Sequence, residues 1–334
     1  RHLNATGHAV TVLEARDRGG GRALSISVGE GGIDLGPAWI WPAVQPQVTG
    51  LLAALGMTTL PQFEEGDFIY ETVKQTQRGA FPRRYGDAAR IRGGVQALAD
   101  RLACELPADT VRFGQVVTAI DLTGPPQITT RSGTVWDADV VICAVPGPIA
   151  AGFAMSPPWS SELEQAFTRW PTWMAAHAKV IALYDRPFWR AAGLSGGAVS
   201  QRGPLVEIAD QSDPEAGLYG LFGFVGVPVE QRQDNTALLE AARAQLVRLF
   251  GPAAASPVRL ELQDWAEEPF TTTRADRVPP QGHPPYGEPA LSRPVAGRLF
   301  FAGAEVSQRH GGLIEGAVET GLRAATEAAA ALVS

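Results

Sequence analysis

The sequence predicts an α/β protein: a doubly wound domain assembled from discontinuous segments, with a smaller α+β domain inserted into it. Three observations predict this. VTVLEA (Val10–Ala15) is rich in β-branched and apolar residues and of strand length, and reads as a buried parallel strand. Similar runs recur far away, as VVICAVP (140–146) and GRLFFAGAE (297–305), so one sheet collects strands from the whole chain. Between them, residues 151–258 change character, with Trp159, Trp170, Trp173 and Trp189 and several prolines, which marks a second unit.

The elements follow in order. RHLNATGHA (1–9) reads as a helix end with Gly7 at its C-cap. After the Val10–Ala15 strand comes GIDLGPAWIW (32–41), apolar and broken by Gly36 and Pro37. VTGLLAALGM (48–57) is a short helix stopped by Gly56, and residues 61–92 are polar and aromatic with weak periodicity. GGVQALADRLACEL (93–106) places Val95, Leu98, Leu102 and Leu106 on one helical face. RFGQVVTAIDL and QITTRSGTVWDAD read as strands joined at Gly124-Pro125. KVIALYD (179–185) and GLFGFVG (220–226) are strands of the middle unit, and NTALLEAARAQLVRLFG (235–251) is its helix. Residues 266–297 are rich in Pro and Gly and read as a long ordered loop before a closing Ala-rich helix. This order divides the chain into 1–44, 88–150 and 259–334 for the first domain, and 45–87 and 151–258 for the inserted one.

Composition narrows the function. The 334 residues are 45% apolar and 19% charged, enough for a sizeable core. Twenty-eight basic against 35 acidic residues give a net charge of -7, and Lys74 and Lys179 are the only lysines. That argues against nucleic acid as the main partner. Cys104 and Cys143 form no CxxC pair, so neither a metal site nor a disulfide framework is expected. No apolar run reaches the ~18 residues of a membrane span.

Glu14 leaves its strand where a dinucleotide-binding fold holds a ribose, about 20 residues after a glycine fingerprint. Counting back from Glu14 runs past Arg1, so the first strand and GxGxxG are expected upstream of this chain. By itself a surface Glu ending a strand is an equally good reading. The full stretch VTVLEARDRGGGRA resembles the flavin-containing amine oxidase family, whose second strand runs into E-A-R-x-R-x-G-G-R; the matches are Glu14, Ala15, Arg16, Arg18, Gly20, Gly21 and Arg22. DLGPAWI (34–40), GGVQALADRLA, VTAID, KVIALYDRPFW and GRLFFAGAEVSQRHGGLIEGAVETGLRAA resemble further family segments in the family's order.

The resemblance implies a Rossmann-like FAD-binding domain, non-covalent FAD, and oxidation of an amine C–N bond to an imine with oxygen reduced to peroxide. It places Glu14 on the adenosine ribose, with Ala15 and Arg16 beside it. Gly20 and Gly21 let a phosphate or the flavin edge approach, and Arg22 pairs with the pyrophosphate. Gly36, Pro37, Ala38 and Trp39 line the flavin, the Val117 backbone meets adenine, and Gly303 and Glu305 lie by the ribityl chain or pyrophosphate. Gly312 and Leu313 bring a positive helix N-terminus under the flavin. Lys179 matches a lysine that holds a water against flavin N5, where a cation stabilises charge as reduced flavin meets oxygen. Read without the family, Lys179 is a strand lysine that snorkels to the surface.

Departures from the pattern bear on the substrate. Leu313 stands where an aromatic ring is usual, and FTTTRADR (270–277) has no aromatic after Phe270 and no Cys. An aromatic amine cage is therefore not expected, nor is covalent flavin attachment. The 41–93 segment is short, which implies a more open site. The partner expected is a small-molecule amine, and the compartment the cytoplasm. Rival readings are a flavin oxidase of C–C bonds, such as a desaturase or protoporphyrinogen-type enzyme, and a non-catalytic flavoprotein that binds a partner.

Overall fold

The computed structural model describes residues 1–29 and 31–333. Its largest element is a seven-stranded sheet in the spatial order Arg259–Asp264, Ala178–Tyr184, Tyr219–Val225, Leu205–Asp210, Leu194–Ser200, Asp67–Glu71, Thr76–Gly79. Neighbours run antiparallel except Leu194–Ser200 and Asp67–Glu71, which are parallel. All seven residues of Ala178–Tyr184 are buried because both faces of the sheet are covered. Val180 and Ala182 pack toward Leu238, Ala242 and Leu246 of the helix Asn235–Phe250. Ile181 and Leu183 alternate to the other face and meet Ile26, Ile33 and Leu35 of a hairpin formed by Ser25–Val28 and Gly31–Asp34. Alternation puts Lys179 on that second face, toward the hairpin.

The other body is built from short parallel pairs, Val12–Leu13 with Val111–Arg112 and Val141–Cys143 with Leu299–Phe301. Beside them lies a four-stranded sheet ordered Val135–Asp137, Gln127–Thr130, Val117–Asp121, Ala154–Ser156. The long helix Ile314–Ala331 lays Ala324 and Ala328 against Phe300 and Ala302, and its alanines permit that approach. The helix Val95–Cys104 buries Val95 and Leu98 against Ile40, Val48 and Leu52. Its N-terminus is seated by Asp34, whose carboxylate accepts the Val95 N–H at 2.7 Å and the Ser25 hydroxyl at 2.7 Å. Gly32 is required there, since a Cβ would lie 2.0 Å from the Gly93 carbonyl.

Two expectations change. Arg259–Asp264, assigned above to the 259–334 segment, pairs along its length with Ala178–Tyr184 and belongs to the large sheet. Cross-strand pairing, which leaves no local mark in sequence, decides it. The weakly periodic 61–92 region, for which no element is predicted above, holds a hairpin, Asp67–Glu71 with Thr76–Gly79, that extends the same sheet.

Candidate functional site

A cleft opens at the carboxyl ends of the parallel strands Val141–Cys143 and Leu299–Phe301. Open α/β sheets bind their ligands in that position. Arg22, Tyr286, Gly303 and Glu305 border it, together with the turn that follows Cys143. Gly36 brings the Asp34–Ile40 segment under this wall, since a Cβ there would sit 1.9 Å from the Arg22 carbonyl.

Arg22 and Glu305 meet across 283 residues as a two-bond fork, Nη1 to Oε1 at 2.5 Å and Nη2 to Oε2 at 2.7 Å. The Trp173 N–H donates to the same Oε1 at 3.0 Å. Burial opposes the charged form of Glu305, but the Arg22 charge, its hydrogen bonds and the Trp173 N–H outweigh it, so the carboxyl stays below its usual range. The resemblance places Arg22 on a pyrophosphate and Glu305 by the ribityl chain or the pyrophosphate. In the structure each is the other's partner, which fixes both at the rim of the cleft.

Two polar atoms in the lining are shielded from solvent and bonded to nothing, the Trp170 indole Nε1 and the Thr172 hydroxyl. Thr172 is 2% exposed. Buried donors without partners are costly, and a ligand with phosphate and hydroxyl oxygens would satisfy them. Gly303, at φ 125°, has nothing within 4 Å of where a Cβ would point, and Gly21 is open in the same way. Both leave backbone free for close approach. These features fit a dinucleotide. Gly20 does a different job, because its Cα face packs on Ala99 and the Ala23 carbonyl.

Glu14 directly follows its strand, but that strand is only Val12–Leu13 and is not buried as expected, since Val12 is 40% exposed. The Glu14 N–H donates to the Arg112 carbonyl, and its carboxylate accepts the Arg16 N–H at 2.9 Å in a turn around Ala15. The Arg16 guanidinium pairs with Glu268 at 2.8 Å and Thr271 at 2.8 Å, a tie to the long loop that leaves its backbone beside Glu14. Arg18 is likewise spent on the carbonyls of Gly21 and Gly19, and closes the glycine turn. Val117 begins its strand opposite Thr130 and packs on the neighbouring core. Gly312 carries the Trp173 indole, since a Cβ would lie 2.9 Å from its Cγ, and Leu313 is the N-cap of the closing helix.

Lys179 forms the second half of the site. Its ammonium does not snorkel. It is 3% exposed and donates to the Gly36 carbonyl at 2.6 Å and the Asp34 carbonyl at 3.1 Å. The Phe222 and Phe224 rings lie 4.5 and 5.4 Å from Nζ. Burial pushes the ammonium down to about 8, and the Asp34 carboxylate only partly opposes that. Pro37 and Ala38 carry the chain from Gly36 to Trp39, whose indole donates to Gln62 and stacks on Tyr85. The run Asp34–Trp39 thus links the cleft to the sheet face.

Several residues at the site escaped the sequence reading. The Trp265 indole donates to the Leu35 carbonyl, so three successive carbonyls, 34 to 36, are held by side chains. Glu315, fully buried, accepts the N–H groups of Gln47 and Val48 and caps the helix Pro46–Ala54. Gln211, also fully buried, accepts the Asp34 N–H. A buried-looking Glu in the Gly-rich entry to the last helix was the one readable signal among these. Among the described residues no cluster of His, Cys, Asp and Glu could hold a metal ion. No described helix is long and apolar enough to cross a membrane.

The site thus has two parts, a cleft at the carboxyl ends of parallel strands and, beside it, a sheet that buries a lysine. The family model described as flavin containing amine oxidoreductase matches residues 1–87 and 76–329, and the chain belongs to that family. It is an FAD enzyme that oxidises amines. It is 27% identical to a protein of Mycobacterium tuberculosis that carries the name flavin-containing monoamine oxidase AofH, over 99% of this chain and 94% of that one. That alignment runs to 439 positions against 334 residues, so at least 439 − 334 = 105 positions have no counterpart here. An L-amino acid dehydrogenase of Synechocystis is 33% identical over 72% of this chain and 50% of its own length. The fold matches cyclohexylamine oxidase from Brevibacterium oxydans at a TM-score of 0.84 and 21% identity, covering 99% of this chain and 96% of that one.

Proposed function

We propose that this protein oxidises the C–N bond of a small amine to an imine, with FAD held non-covalently in the cleft and oxygen as the final acceptor. FAD, when bound, supplies the two-electron chemistry that takes hydride from the amine and returns the electrons to oxygen. The observation that carries the reading is the buried Lys179 ammonium. Two of its three N–H bonds are used by the carbonyls of Asp34 and Gly36, which leaves one to hold a water or a reacting oxygen. A cation fixed there in an apolar nest would stabilise negative charge as oxygen is reduced. The Phe222, Phe224 and Trp39 rings beside it exclude water, which favours the neutral form of a substrate amine.

For the cofactor, Glu14 supports a ribose contact, and Gly21, Gly303, Trp170 and Thr172 support the diphosphate and sugar chain. Non-covalent attachment is supported by the cysteines. Cys143 borders the cleft, but burial pushes its thiol up to about 11, so it stays protonated near neutral pH, and Cys104 is on an exposed helix. The domain division we propose follows the sheets, with Arg259–Asp264 moved into the substrate domain.

The test is a visible spectrum of the flavin-loaded protein before and after acid precipitation, followed by anaerobic addition of amines. Flavin released into the supernatant and bleached by an amine beforehand supports the reading. Bound flavin that no amine bleaches favours a non-catalytic flavoprotein and would overturn it.

A further inference from the structure

The large sheet grips Asp34 at two points. Asp34 ends the strand Gly31–Asp34, and an extended residue sends its N–H and its carbonyl to the same side. The next two N–H groups, of Leu35 and Gly36, turn back to the Leu24 carbonyl at the start of the hairpin. The Asp34 pair leaves the hairpin instead. Its N–H donates to Gln211 Oε1 at 3.0 Å, and its carbonyl accepts from the Lys179 ammonium at 3.1 Å. Gln211 directly follows the strand Leu205–Asp210, two places from the Lys179 strand. Ala209, two residues before it, packs with Ile181 and Phe222, so alternation puts Gln211 on the face that carries Lys179. From the other side Trp265, which follows the strand paired with that of Lys179, donates to the Leu35 carbonyl at 3.1 Å.

Stability alone does not account for Gln211. It is 0% exposed, and its Nε2 is shielded from solvent without a partner. A buried side-chain amide that makes one bond and strands its other half gains the fold little. What the bond does secure is the place of the Asp34 carbonyl, one of the two that hold the ammonium. Resting on the oxygen role of Lys179 proposed above, we propose that Gln211 is a positioning residue for Lys179. By holding the Asp34 N–H it keeps the Asp34 carbonyl on the ammonium, and so fixes where that cation meets the reacting oxygen.

The experiment reads Lys179 directly. Lys74, which is exposed, and Lys179 are the only lysines, so isotope labelling at lysine Cε gives two NMR signals from the flavin-loaded protein. Among the described residues the charged group acting on Lys179 is the Asp34 carboxylate, and the Phe222 and Phe224 rings and Gln263 opposite it are uncharged. His177, packed on Phe224, is held below its usual range by burial and the Arg232 charge, so it stays neutral through the titration. Gln211→Met keeps the volume and removes the acceptor. The freed carbonyl no longer favours the ammonium, so the Lys179 midpoint should fall by about one pH unit. Gln211→Asn, whose acceptor is withdrawn by one carbon, should lower it in the same direction. Gln211→Glu keeps an acceptor in place and should leave the midpoint at or above the parent's.

Reoxidation of amine-bleached flavin gives the second readout. Gln211→Met should slow it about tenfold, a fraction of the loss from removing the cation itself, with the limiting bleaching rate unchanged. Combined with Lys179→Met it should add no further slowing, because it acts only through that lysine. An unmoved midpoint in both Gln211→Met and Gln211→Asn, or equal slowing with and without Lys179, would overturn the proposal. A midpoint that falls as expected, with Lys179→Met reoxidising at the parent's rate, would sink the oxygen role and leave Gln211 as the residue that positions the lysine.

Discussion

Lys179→Met should change how the stability of the fold depends on pH. The Lys179 ammonium falls from an ordinary 10.5 to about 8 because burial disfavours the charged form. In the unfolded chain it keeps its ordinary value. Between pH 8 and 10.5 the unfolded chain therefore binds more protons at this site than the native one, so stability rises with pH across that window. At about 1.4 kcal/mol per pH unit, the buried charge costs the fold about 3 kcal/mol below pH 8, and nothing above 10.5. Methionine has a similar volume and no charge; it removes that cost but leaves the Asp34 and Gly36 carbonyls without their donor, so the two effects oppose each other at pH 7 and the pH dependence carries the test. The assay is urea unfolding of both proteins at pH 7, 8, 9 and 10. Their difference cancels every other titrating group. It should shrink by about 2 kcal/mol from pH 7 to 10 as the parent gains. Parallel pH profiles of the two proteins would show that this lysine is not buried at a cost.

Three further outcomes follow from the same contacts. Glu305→Gln breaks a buried fork and strands the Arg22 charge, so it should cost about 2–3 kcal/mol in unfolding midpoint and weaken flavin binding, read by flavin fluorescence. Glu315→Ala leaves the Gln47 and Val48 N–H groups without acceptors and should lower stability by about 2 kcal/mol, read as a drop in Tm, with no effect on a flavin spectrum once the protein is loaded. Thr172→Val removes a hydroxyl that has no partner, so the flavin-free fold should keep or gain about 1 kcal/mol while flavin affinity falls; a loss of stability without flavin would show that the hydroxyl is already satisfied.

What the sequence could reveal was local. Glu14 at a strand end, the Val95–Cys104 helix and the Ala178–Tyr184 strand all follow from periodicity within a dozen residues. Their partners do not. Asp34 caps a helix 61 residues on, and Arg22 finds Glu305 across 283 residues. Neither pairing leaves a pattern in the intervening chain. Arg16 and Arg22 sit in one motif and look alike, yet the fold gives one to the long loop and the other to the cleft. Lys179 was ambiguous for the same reason. A strand lysine snorkels unless carbonyls from elsewhere meet it, and those carbonyls belong to residues 34 and 36. The hairpin at 67–79 was missed because one side of it is solvent-facing and polar, which removes the apolar run that strand reading depends on.

Lys179 is proposed to serve oxygen reduction, and a measurement that separates the two halves of the reaction tests that role. The flavin-loaded parent and Lys179→Met would each be bleached by an amine without oxygen, then mixed with oxygenated buffer while the flavin absorbance recovers. Bleaching should proceed at comparable rates, and reoxidation should be slower by on the order of 100-fold in the variant, as removal of one preorganised electrostatic group costs. Reoxidation at the parent's rate would contradict it.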